Sequence, residues 1–302
     1  MATIEIFGVP HAYELTVPVH STHTLVFIHG WLNSRGYWQP AIERLEADFR
    51  CLSYDLRGFG ESQLKETKDK DQNRVSCDVN LTRRGESVNP FNSLYTPFAY
   101  MEDLVVLLRQ LNVNNAWLIG HSLGGTIALW AATQMPEEVK GVICINSGGG
   151  IYLKEAFEKF RSAGQRFLQL RPRWLFQVPL IDLIIARNSV ARPLERHWAR
   201  RRVIDFLVAD PQAALGALLD STTEEEINHL PQLVSQLKQP AYFLAGAEDK
   251  VMEPKYVRHL ASFHPLFKYC GDNVIEIPNC GHLAMLEQPD AVANHIRSII
   301  NS

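Results

Sequence analysis

Residues 116–125, AWLIGHSLGG, carry an apolar run, a turn of glycine, histidine and serine, and the opening of a helical pattern that continues as LGGTIALWAATQ to Gln134. Four apolar residues without polar interruption read as a buried strand, and apolar residues at three- and four-residue spacing over 123–134 read as a helix. Five other runs have the same character as the first: Thr24 to Ile28, Cys51 to Tyr54, Val142 to Ile145, Ala241 to Leu244 and Val274 to Ile277. Strands apolar on both faces suit a parallel sheet covered on each side. Amphipathic stretches at Trp38 to Phe49, Tyr100 to Leu111, Pro254 to Ser262 and Pro289 to Ile300 supply the covering helices. The alternation predicts an α/β fold, doubly wound by right-handed crossovers.

Two stretches break this rhythm. Glu61 to Leu94 is polar and charged and too long for an ordinary connection, so it reads as an excursion loop. Residues 151–235 are helical in pattern, lack strand alternation, and fall between the VICI and AYFL runs. They are expected to form an all-helical cap over a core made of 1–150 and 236–302.

Composition narrows the function classes. The 302 residues are 46% hydrophobic and 21% charged, enough for one sizeable core. Thirty Lys and Arg against 33 Asp and Glu give a net charge of -3, without the cationic bias of a nucleic-acid binder. The five cysteines, Cys51, Cys77, Cys144, Cys270 and Cys280, form no CxxC pair and are odd in number. They argue against a zinc site or a disulfide framework and fit a reducing cytoplasm. The start, MATIEIFGVPHAYELTVP, lacks the basic opening and unbroken apolar stretch of an export signal. The run Trp174 to Ile185, WLFQVPLIDLII, is broken by Gln, Pro and Asp and falls short of the roughly 20 residues needed to cross a bilayer.

The chemistry gathers around Ser122. At a sharp strand-to-helix turn a serine takes a strained conformation that lifts its hydroxyl above the sheet edge, and Gly120 and Gly124 leave room for that turn. The five letters GHSLG also arise by chance in glycine-rich turns, and no Lys follows them as a phosphate loop requires. Serine is a weak nucleophile without a base, and the base needs an orienting acid. Asp249 follows the strand AYFLAG and His282 follows the strand VIEI, so both stand at carboxyl ends of strands, the edge that carries Ser122. The order is Ser, acid, His. Glu248 is a rival acid; His121, a rival base, adjoins the serine and would point away at a tight turn.

Acyl transfer also needs donors for the negative oxygen that develops. The backbone N–H of Trp31, in His29-Gly30-Trp31 after the first strand, is one candidate. The N–H of Leu123, at the start of the helix where the macrodipole favours an anion, is the other. His29, Gly30 and His121 border these groups and are candidate substrate contacts. No HExxH occurs and the eleven histidines show no ligand spacing, so neither metal nor organic cofactor is expected.

Through HGW (29–31), DLRGFGES (55–62), GHSLGG (120–125), GAED (246–249) and NCGH (279–282), the sequence resembles the α/β-hydrolase superfamily. The resemblance covers 24–62, 95–150 and 236–300. It implies an eight-stranded, mostly parallel sheet, a helical cap after the sixth strand, and a Ser122–Asp249–His282 triad. Within the superfamily the chain looks most like capped serine esterases, lipase-like enzymes and carbon–carbon bond hydrolases of diketone-like acids, with a weaker similarity to hydrolases that remove phytol from chlorophyll-type esters. Epoxide hydrolases and haloalkane dehalogenases place Asp at the nucleophile, and Ser122 argues against both. The expected activity is hydrolysis of a largely apolar carboxylic ester; a ligand receptor on the same fold is the non-enzymatic alternative.

Residues 151–202 hold twelve Lys and Arg against four acids, a local charge of +8. One reading is a surface that docks on anionic lipid and admits an amphiphilic substrate; a diketone-like acid would use the same charge. The other is a solvated helical face whose Arg stems pack on the cap's own core. Monomer and homodimer both stay open.

Overall fold

The computed structural model describes residues 1–17, 21–63, 93–148, 154–169, 171, 174, 178, 181–187, 189–269 and 273–302. Its strands are β1 (Ala2–Ile6), β2 (Val9–Leu15), β3 (Thr24–Ile28), β4 (Arg50–Tyr54), β5 (Ala116–His121), β6 (Val139–Ile145), β7 (Ala241–Gly246) and β8 (Val274–Ile277). They form one eight-stranded sheet in the order β1-β2-β4-β3-β5-β6-β7-β8. The pairs from β4 onward are parallel, and the pairs that β2 makes with β1 and β4 are antiparallel.

Every residue of β3 and β5 is buried, as the unbroken apolar runs require. Alternation then divides them between two cores: Val26, Ile28 and Leu118 face one, and Leu25, Phe27 and Ile119 the other. The first core is completed by α2 (Pro97–Gln110) and α3 (Leu123–Gln134), the second by α1 (Gln39–Leu45) and α12 (Pro289–Ile300). Helix α2 starts where Thr96 Oγ1 accepts the Ala99 N–H at 3.0 Å and Pro97 takes the first helical position, a place where no donor is needed.

The antiparallel hairpin β1–β2 has no counterpart among the apolar runs. Its strands are partly exposed and mix polar with apolar residues, and they turn through Phe7 and Gly8, both at positive φ (49° and 76°). The short helices α9 (Pro254–Ala261), α10 (Pro265–Tyr269) and α11 (Ala284–Glu287) complete the carboxyl-terminal part.

Between β6 and β7 the described residues form α4 (Lys154–Gln169), α5 (Ile181–Arg187), α6 (Arg196–Val208), α7 (Pro211–Asp220) and α8 (Glu224–Gln236), with no strand among them. This segment touches the loops at the carboxyl ends of β3 and β4: Trp31 Nε1 donates to the Ala214 carbonyl at 2.8 Å, Ser34 Oγ to Asp205 Oδ2 at 2.8 Å, and Asp210 N to the Gly58 carbonyl at 2.8 Å. Most of the polar excursion, 64–92, lies outside the described residues, as do Cys77 and Cys270. Glu61 and Ser62 are tied to the core: Ser62 is buried, its Oγ donating to the Asp55 carbonyl and accepting the Ala12 N–H, and Glu61 pairs with Arg35.

The basic stretch is partly paired within the protein. Asp182 lies near Arg196 and Arg200, and Arg201 pairs with Asp205. Trp174 and Ile184 are exposed, whereas 175–177 and 179–180 of the same apolar run lie outside the described residues. Among the described residues no helix is long and apolar enough to cross a membrane.

A buried acid joins α8 to α3. Glu226 is 6% exposed, accepts the Trp130 indole N–H at 2.7 Å, and lies beside His229, which stacks on Trp130. Burial pushes its carboxyl up to about 7, with the Trp130 bond opposing. The folded state therefore holds this proton more tightly than the unfolded chain, where a glutamate titrates near about 4.3. Its contribution to stability is full below that value and is lost as pH rises through 7. Glu226→Gln keeps an acceptor for Trp130 and removes the loss. Thermal melts at pH 5 and pH 8 should find the variant more stable by roughly 1–3 kcal/mol at pH 8 only.

Candidate active site

Strand β5 delivers Ser122 at φ 52° and ψ -119°, outside the regions an L-residue ordinarily occupies. The turn is held by Ser122 N donating to the Ile145 carbonyl at 3.0 Å and Gly125 N donating to the Ser122 carbonyl at 2.9 Å. A Cβ at Gly120 would lie 2.2 Å from the Gly124 carbonyl oxygen, so the turn closes only around glycine. The Ser122 side chain is half-buried, and its hydroxyl does not cap the helix that follows.

Asp249 and His282 arrive from the ends of β7 and β8. His282 Nδ1 and Asp249 Oδ2 are 2.8 Å apart and both side chains are buried. Asp249 is saturated: Oδ1 accepts the N–H groups of Val251 and Met252 at 2.8 and 2.9 Å, and Oδ2 also accepts Asn146 Nδ2 at 2.7 Å. Burial alone would raise its pKa; His282 and these bonds outweigh burial and hold the carboxyl below its usual value. Glu248, the rival acid, is exposed, and its backbone N–H donates to the Cys280 carbonyl. No hydrogen bond joins Ser122 Oγ to His282 among the described residues.

The loop after β3 presses on the Ser122 turn. A Cβ at Gly30 would come within 2.7 Å of His121 Nδ1 and 3.1 Å of Ser122 Cβ, so only glycine brings the next amide, that of Trp31, this near the serine. Leu123 is the first residue of α3, where backbone N–H groups have no helical partner.

His29 and His121, the expected substrate contacts, are both buried with their ring nitrogens on protein partners. His29 is fully buried, with Nδ1 against the Gly30 carbonyl at 2.8 Å and Nε2 accepting the Leu56 N–H at 2.9 Å. Burial lowers its pKa, and the neutral ring ties the loop after β3 to the loop after β4. His121 is 1% exposed; its Nε2 donates to the His282 carbonyl at 2.7 Å, and Nδ1 lies 3.4 Å from Asn33 Nδ2. Burial, then the neighbouring His282, lower its pKa well below 6.5, so it stays neutral as a strut between loops. Both rings are spent on protein partners.

Three polar residues that the sequence reading passed over support the site. Asn146, at positive φ (50°) after β6, bridges Asp249 and the Gly281 carbonyl through Nδ2. Its signal was a polar residue directly after a buried strand. Ser34 and Asp205 hold the loop after β3 against α6, and Arg201 closes that group with Nη2 on Ser34 Oγ at 3.0 Å. Among the described residues, no cluster of His, Cys, Asp and Glu could hold a metal ion. Cys280 is buried, with its thiol pushed up by burial, and it fills space beside the histidine loop.

Residues 23–289 match the family of the alpha/beta hydrolase fold. The chain belongs to that family. Among curated relatives it is 24% identical over 290 residues to an uncharacterized hydrolase, YugF, of Bacillus subtilis, covering 92% of this chain and 89% of the relative. It is 26% identical over 243 residues to a pimeloyl-[acyl-carrier protein] methyl ester esterase of Aliivibrio salmonicida, covering 80% of each. Among solved structures, a thermophilic esterase from Thermogutta terrifontis superposes with a TM-score of 0.70 at 22% identity, over 100% of this chain and 98% of that one. This α/β-hydrolase therefore shares its overall fold with proteins of low sequence identity.

Proposed function

We propose that this α/β-hydrolase cleaves carboxylic esters of largely apolar small molecules through a covalent acyl-serine. One observation carries the reading: a serine on a strained turn between β5 and α3 shares the sheet edge with a buried, hydrogen-bonded Asp249–His282 pair. In this reading Ser122 Oγ attacks the ester carbonyl carbon while His282 Nε2 takes the hydroxyl proton. Asp249, ionised because its carboxyl is held below its usual range, keeps Nδ1 protonated and the ring aligned. The carbonyl oxygen becomes an anion received by the N–H groups of Trp31 and Leu123. Collapse breaks the ester C–O bond, and His282 returns the proton to the departing alcohol. Water then attacks the acyl-serine with His282 again as base, releasing the acid and restoring Ser122.

The helical segment 154–236 would serve as a cap: its contacts with Trp31, Ser34 and Gly58 support that role, and its exposed apolar residues suit an apolar acyl chain. The esterase activity named for the Aliivibrio relative agrees with the reading. The test is turnover of p-nitrophenyl esters graded in acyl length by purified protein. Turnover above the Ser122→Ala background, rising with acyl length, is expected; equal rates for the two proteins across the series would overturn it.

A further inference from the structure

We infer that Glu287 is a positioning residue for the proposed base, through a carboxylate clasp that locks the His282 loop to residues 189–192, the lead into α6. The inference rests on His282 being that base. Glu287 ends the single turn of α11. Its Oε2 accepts the N–H groups of Gly281 at 3.0 Å, Ala191 at 2.7 Å and Arg192 at 3.2 Å, and its Oε1 accepts that of Leu283 at 3.1 Å. The amide between those of Gly281 and Leu283, that of His282, donates to the Ser189 carbonyl at 2.9 Å. Three consecutive amides of the histidine loop are thus held, two by Glu287 and one by the segment that Glu287 also grips.

The two segments touch. A Cβ at Gly281 would lie 2.6 Å from Ala191 N and 2.8 Å from Val190 Cα. Hydrogen bonds to a carboxylate are roughly twice as strong as neutral ones, and four of them converge on this side chain. Asp249 fixes the imidazole by one nitrogen only, so the backbone that carries the ring sets where Nε2 points, and Glu287 sets that backbone. If 189–192 lifts away, His282 loses the Ser189 bond and the clasp opens. The seat of the helical segment and the aim of the base are therefore one equilibrium.

The experiment compares wild type with Glu287→Gln, which keeps side-chain size but turns an amide N–H2 toward backbone donors. Turnover of p-nitrophenyl butyrate is expressed per site titrated with a serine-reactive phosphonate, and amide hydrogen exchange is followed over 189–192 and 281–283. A displacement of about 1 Å at a reacting group costs on the order of 100-fold. We expect kcat per titrated site to fall about 10- to 100-fold with KM within about twofold, and exchange in both segments to accelerate together. A residue that only stabilises the fold would lower the melting temperature and leave kcat per titrated site unchanged. Either kcat per site within twofold of wild type, or acceleration confined to one segment, overturns the clasp. Should Glu287→Gln fail to fold, Glu287→Asp, which keeps the charge and is one methylene short, is judged by the same readouts. If wild type shows no Ser122-dependent turnover, the hydrolase reading fails by itself, and the exchange result alone decides whether the clasp exists.

Discussion

Ser122→Ala should abolish ester hydrolysis and leave the protein folded. Alanine fits the turn as serine does, because no hydrogen bond from the hydroxyl caps α3 and the strained backbone is held by main-chain bonds to Ile145 and Gly125. The melting temperature is expected to stay within about 2 °C, since nothing in the core changes. Turnover should fall by about 10⁴ to 10⁶, the range for loss of a nucleophile that works as a unit with its base and oxyanion donors. Steady-state kinetics on p-nitrophenyl butyrate, with a melt on the same preparation, measure both. Full activity in pure variant protein would remove serine from the mechanism.

Asp249→Asn is the second large effect, at about 10⁴ in kcat. The amide would offer a donor where His282 Nδ1 now faces a carboxylate oxygen at 2.8 Å, which favours the wrong tautomer and leaves Nε2 protonated and unable to accept from Ser122. The N–H groups of Val251 and Met252 can still find the remaining oxygen, so the loop after β7 should hold. Glu248→Gln is the matched control: Glu248 is exposed, and its substitution should change kcat less than about twofold. A dead Glu248→Gln beside an active Asp249→Asn would move the acid by one residue.

Much of the site was legible because it hangs on elements that are legible. Strands β3 and β5 are buried throughout, β7 nearly so, and β8 buries Val274 and Ile277 while leaving Glu276 exposed, so their apolar runs stand out and fix where Trp31, Ser122, Asp249 and His282 fall relative to the sheet edge. Strands β1 and β2 left no such run, since both mix polar with apolar residues and β1, at the sheet edge, is largely exposed. The surroundings of His29 and His121 were not legible, for a different reason. Position in the sequence says nothing about which way a ring turns, and both rings turn inward onto loop backbones. Glu287 was invisible in the sequence because its partners are backbone amides, which every residue but proline carries; only the fold shows that four of them converge. The charge of the helical segment was readable as a sum, but its pairing with Asp182 and Asp205 was not.

The most direct test of the account is to react the protein with a fluorophosphonate and locate the adduct by intact mass and peptide mapping. One adduct per chain is expected, on Ser122, absent from Ser122→Ala and formed far more slowly in Asp249→Asn, because an aligned base must take the hydroxyl proton for the serine to attack phosphorus. An unlabelled wild type, or an adduct on any residue other than Ser122, would contradict it.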